Sequence, residues 1–79
     1  MNLFAKKKAI SAKEVVRKFN ISYHTVNYYT AMGLLTVLGK KGNERFFDED
    51  ETRQRLTQIF RLIQEGYPLH LIRKKVNEE

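Results

Sequence analysis

His24, Asn27 and Tyr28 recur at three- and four-residue spacing between Ser22 and Gly33. At 100° per residue this spacing puts all three on one side of a short helix, opposite Val26 and Tyr29. All three can donate and accept hydrogen bonds. An asparagine amide can pair bidentately with an adenine edge, and a tyrosine hydroxyl at a helix surface can meet a phosphate. Tyr23, at the start of the same helix, extends the set. A little downstream, Lys40, Lys41 and Arg45 lie within six residues of one another around Gly39-Lys40-Lys41-Gly42-Asn43. Cations on a protruding two-stranded ribbon can run along a groove or beside a phosphate backbone. The chemistry these two groups suggest is recognition of a polyanion, not bond making.

Other groups look catalytic but have simpler roles. Asp48-Glu49-Asp50-Glu51 could suggest a magnesium site. Acidic residues are also favoured in the first turn of a helix, where open N–H groups and the helix dipole attract negative charge. Glu49–Arg53 and Glu51–Arg55 would then be i,i+4 pairs worth about 0.3–0.5 kcal/mol each. His24 and His70 lie in different segments, and the chain has no cysteine to complete a zinc shell. Ser11 and Ser22 are both spoken for as helix caps, and no general acid–base pair presents itself. No metal, no cofactor and no enzymatic activity are expected.

The elements that must position these residues follow from local signals. Ser11-Ala-Lys-Glu14 fits a capping box, and Ala12, Val15, Val16 and Phe19 follow at helical spacing. Asn20 suits a left-handed turn. Ser22 caps a second helix, with Ile21 and Val26 as its hydrophobic staple and Gly33 as its stop. Two helices joined by about three residues make a helix-turn-helix. Thr36-Val37-Leu38 and Glu44 to Phe47 read as the strands of a hairpin around a five-residue tip. Asp48 and Glu51 would form a second capping box on a third helix, whose apolar stripe is Leu56, Ile59, Phe60 and Ile63, with Leu62 at the margin. Gly66 ends it, and Pro68 opens a last short helix packing through Leu69, Ile72 and Val76. The fold class is mainly α: a winged helix-turn-helix with a two-stranded β-hairpin wing and about four helices.

Composition points the same way. Seventy-nine residues make one domain, with a core buried to only about 60–65% of the unfolded surface. Residues 10–79 form that domain, and 1–9, carrying Lys6-Lys7-Lys8, read as a flexible basic arm. Residues 1–47 hold nine Lys/Arg against two acidic groups, whereas 48–79 hold six against seven. All the excess of the +6 net charge therefore falls in the half with the helix and ribbon, as a polyanionic partner would require. No apolar run approaches the ~18 residues of a membrane span, and Met1 to Ala9 lacks the apolar centre of a secretory signal. A soluble, cytoplasmic protein is expected.

From Ser11 to Val76, about five-sixths of the chain, the sequence resembles the DNA-binding domain of MerR-type transcriptional regulators. The likeness rests on Ile21-Ser22, Thr25-Val26-x-Tyr28-Tyr29 and Gly33-Leu34-Leu35. It continues through Gly42-Asn43-x-Arg45-Phe46-Phe47 and Gly66-Tyr67-Pro68-Leu69-x-x-Ile72. It implies that the second helix enters the major groove, that Tyr28 and Arg45 touch phosphates, and that His24 reads bases or backbone. The pattern departs at Asn27 and Thr30, where the family usually has Arg and Glu; a lost Arg removes one charged contact. Family members usually continue into a long dimerising helix and an effector-sensing region. The chain stops at Glu79, about where that helix would begin. No ligand pocket or sensor cysteine carries over, and the family's promoter-twisting mechanism, which needs two linked domains, does not follow for these residues.

The leading expectation is sequence-specific binding of double-stranded DNA for transcriptional regulation. Tyr23, His24, Asn27 and Tyr28 would lie at the major groove, with Lys40, Lys41 and Arg45 on the flanking backbone. The alternatives are an excisionase-like factor that bends DNA and a protein-interaction module using Leu62 and Leu71. A homodimer on an inverted repeat, RNA polymerase and a recombinase remain open as partners; a membrane does not.

Overall fold

The hydroxyl of Ser11 accepts from the Glu14 amide at 3.2 Å, and the Glu14 carboxylate accepts from the Ser11 amide at 2.9 Å. This reciprocal box starts α1 (Ala12–Phe19), and Asn20 ends it at φ 55°, in the left-handed region. Ser22 then caps α2 (Tyr23–Ala31), accepting from the Thr25 amide at 2.9 Å. Helices of eight and nine residues are too short to persist alone in water, so packing must hold them. Val15, Val26 and Tyr29 supply that packing from the inner faces of the pair. These coordinates are a computed structural model and describe residues 8–78.

Three strands complete the fold: β1 (Ala9–Ser11), β2 (Gly39–Lys41) and β3 (Glu44–Asp48), in the order β1-β3-β2 and antiparallel throughout. Two features differ from expectation. A third strand joins the hairpin, pairing Ile10 with Phe47, so the folded part begins by Lys8 and Ala9, which the sequence assigned to the arm. The rest of that arm, with Lys6 and Lys7, lies outside the described residues. The hairpin is also tighter, because Gly42 at φ 62° closes it in two residues, the glycine-first arrangement of a type II′ turn. Strand pairing therefore runs out through Gly39↔Phe46, Lys40↔Arg45 and Lys41↔Glu44. Lys40 and Lys41 stand on a strand, not on a loop, and Thr36-Val37-Leu38 lead into it.

Asp48 passes the chain from β3 into α3 (Glu49–Gln64), its carboxylate accepting from the Glu51 amide at 3.0 Å. Only this half of the expected box forms. Leu56, Ile59 and Leu62 face the core, while Phe60 and Ile63 are 37% and 42% exposed. The expected stripe is thus rotated toward Leu62. After Gly66 the chain turns back into α4 (Leu69–Asn77), which buries Ile72 and Val76. Among the described residues, four helices and the small sheet enclose one core centred on Phe47, Leu34, Leu35 and Ile59. This is a winged helix-turn-helix.

Candidate nucleic-acid interface

The outer face of α2 carries the groups its periodicity indicates. Tyr28 is 48% exposed and its neighbour Tyr29 only 7%, so the helix turns one ring outward and the next into the core. Burial, with a smaller contribution from Tyr28, raises the Tyr29 pKa above its ordinary value. His24 and Tyr28, one turn apart, stack with their rings 2° from parallel and 6.3 Å between centroids. Thr30 Oγ1 donates to the Val26 carbonyl at 2.6 Å, which turns that hydroxyl back onto the helix. The ridge left in solvent consists of Tyr23, His24, Asn27, Tyr28 and Ala31.

The wing lies directly against this ridge. Arg45 Nη2 donates to Asn27 Oδ1, and the Arg45 guanidinium also lies 5.8 Å from the centre of the Phe47 ring. Tyr23, Lys41 and Arg45 line a shared groove together with Lys13, Asn43 and Glu44. Lys40 stands opposite Arg45 in the ladder, so the two cations project from one face of the ribbon. Like charges placed opposite each other across strands are destabilising. Among the described residues, neither of these cations nor Lys41 has a carboxylate within ion-pair distance. Of the residues the sequence singles out, Tyr23, Lys41 and Arg45 meet in this groove, Asn27 is joined to Arg45, and His24 stacks on Tyr28 along α2. Lys40 lies across the ladder from Arg45 and outside the groove lining. Lys13 and Asn43 were missed; Lys13 is exposed just inside the α1 cap, and nothing in its local sequence links it to the wing.

The cations around Glu49 are arranged differently. The Glu49 carboxylate, 10% exposed, is met by Arg53 Nη2 at 2.9 Å, Lys18 Nζ at 3.4 Å and Lys8 Nζ at 3.4 Å. The Lys8 contact is electrostatic rather than directional, because Oε1 makes no hydrogen bond. Burial opposes the charge on Glu49, but the Lys18 and Lys8 ammonium groups outweigh it and hold the carboxyl below the usual 4.5. The Glu49–Arg53 pair forms as expected, whereas Glu51–Arg55 does not. Arg55 instead donates to Asn77 Oδ1 at 3.1 Å and to the Leu34 carbonyl, tying α3 to α4 and to the turn after α2. Leu62, expected with Leu71 to form an exposed apolar patch, is 6% exposed because α4 folds back over it.

A ridge-bearing second helix with a cationic hairpin against it is the architecture of a DNA-binding domain, and residues 10–79 match the family described as MerR HTH family regulatory protein. The chain belongs to this MerR helix-turn-helix family. The match runs from the second residue of β1 through α4 and brings with it DNA binding and transcriptional regulation as the family's general role. No curated protein and no solved structure matches the chain. None of the helices is long and apolar enough to cross a membrane among the described residues.

Proposed function

We propose that this MerR-family domain reads double-stranded DNA by inserting α2 into the major groove while the β2–β3 wing holds the flanking phosphates. The observation that carries this reading is the set of three wing cations, none with a carboxylate in ion-pair distance among the described residues, beside an exposed polar helix face. Lys40 and Arg45 repel each other across the ladder, and a phosphate oxygen between them relieves that repulsion. His24, at the exposed start of α2, makes base-edge contacts. Tyr23 and Tyr28 flank it, with Tyr28 directing its hydroxyl to a phosphate.

Random-site selection on duplex DNA, followed by titration over a range of salt, tests this. A defined motif should emerge. If about four phosphates are neutralised, log K should fall with log salt with a slope of about −3.6. A slope near zero, or no enriched motif, would refute the reading. An inverted repeat in the motif would identify a dimer, and a circular-permutation assay would separate a regulator from an architectural DNA-bending factor.

A further inference from the structure

We infer that Asn27 is a positioning residue for the wing: its amide oxygen holds Arg45 over the ridge, so its main role is to aim a phosphate-binding guanidinium and not to read a base. This rests on the proposed DNA reading and sharpens it. Arg45 is the only wing cation with a hydrogen bond to α2 among the described residues, and that bond runs from Nη2 to Asn27 Oδ1. The amide orientation is fixed by the chemistry of its partner. A guanidinium offers donors only, so the atom facing it must be the oxygen.

Two consequences follow for recognition. Bidentate pairing with adenine uses the amide oxygen as acceptor and the amide nitrogen as donor at the same time. With Arg45 in front of Oδ1, that pairing is blocked and only Nδ2 faces outward. Arg45 is meanwhile restrained at two places, by Oδ1 and by the face of Phe47, itself fully buried between β1 and the helices. A side chain restrained before binding loses less rotamer freedom when it meets its phosphate. The register of the wing on α2 is thus set by one asparagine.

A double-mutant cycle on DNA, combined with a measurement on the free protein, tests this positioning role. In free protein, the Arg45 guanidinium ¹⁵N resonances should show restricted rotation that Asn27→Ala abolishes and Asn27→Asp, which keeps the acceptor, retains. On the selected site, Asn27→Ala should weaken binding about three- to tenfold, leave base preference unchanged, and have almost no further effect once Arg45 is alanine. Circular dichroism and thermal melting of each variant check that the fold is intact. Additive losses, or altered preference at particular base pairs in Asn27→Ala, would overturn the positioning role while leaving the DNA reading in place. Arg45→Ala with no effect on affinity or salt slope would remove the wing's part in the DNA reading, and this inference with it.

Discussion

Two groups of three cations sit on this small domain, and their surroundings are opposite. Lys8, Lys18 and Arg53 converge on the buried carboxylate of Glu49, bringing the first strand, the first helix and the third helix to one point. Lys40, Lys41 and Arg45 stand on the wing with no carboxylate within ion-pair distance among the described residues; Lys40 and Arg45 face each other across the ladder, and Lys41 stands opposite Glu44. The first group uses charge to join elements; the second holds charge in readiness for something outside the molecule. Counting lysines along the chain misses this distinction. Lys8 and Lys18 contribute to the positive half of the sequence, yet both are drawn to one carboxylate from the other half. Among the described residues, cations without a carboxylate in ion-pair distance also lie on α3 and α4, at Arg55, Arg61, Arg73, Lys74 and Lys75. Those on the wing are set apart by standing beside the exposed polar face of α2.

Removing the unpartnered group should have the largest effect on DNA binding. Replacing Lys40, Lys41 and Arg45 together with alanine should make the salt slope shallower by about 2.7 and lower affinity by about two to three decades at 0.1 M salt. The melting temperature should change little, because relief of the Lys40–Arg45 repulsion offsets loss of the Arg45 contacts to Asn27 and Phe47. Filter binding across a salt series, with melting curves on the same samples, measures both. If the triple variant bound as well as the parent, the contrast between the two clusters would carry no functional meaning.

The next effect belongs to the ridge. His24→Ala should reduce discrimination at one or two base pairs by about 1–3 kcal/mol and leave the salt slope unchanged. Competition with single-substituted duplexes is the measurement. A uniform loss over all sequences would make His24 a backbone contact, and base reading would have to come from elsewhere on α2.

How much of this arrangement could be read from the sequence depends on how local its causes are. Both helix starts of the helix-turn-helix were legible, because a cap and its partner amide lie three residues apart and need no tertiary contact. So was the outward face of α2, since its burial follows the helical period. β1 was not legible: three residues acquire strand structure only by pairing with Phe46, Phe47 and Asp48, far along the chain. Nor was the choice of Leu62 over Phe60 and Ile63, which depends on where α4 lies after Gly66. The convergence on Glu49 and the Arg45–Asn27 bond are likewise products of the fold, joining segments that share no sequence signal.

A smaller perturbation tests whether the shape of the wing matters apart from its charge. Gly42 turns the hairpin at φ 62°, and a Cβ there would meet no neighbour within 4 Å, so strain is the only cost of adding one. Gly42→Ala should destabilise the hairpin by about 1 kcal/mol, with net charge and α2 untouched. Affinity should drop a fewfold as the tip frays and Lys41 leaves the groove it shares with Tyr23. Unchanged affinity would mean that the wing acts as a diffuse charge with no fixed geometry.

Glu49→Gln should have the smallest effect on DNA binding and a clear one on the fold. The substitution keeps the size of the side chain but removes the charge that gathers Lys8, Lys18 and Arg53, leaving three cations to repel one another. Because the folded carboxyl titrates below the usual 4.5, it stabilises the native state above that pH. That contribution is lost as pH falls through the folded value, where the folded and unfolded chains come to bind the same number of protons. The parent should therefore lose stability as pH is lowered from about 5, and Glu49→Gln should start lower and show a flatter acid limb. Chemical denaturation at pH 7 and at several values below 4.5 would give both slopes. DNA affinity at neutral pH, measured well below the variant's melting temperature, should match the parent, since none of the four residues borders the groove between α2 and the wing. A large loss of affinity in a folded Glu49→Gln protein would mean that the paired cluster sets the pose of the unpaired one, and the two groups would then act as a single device.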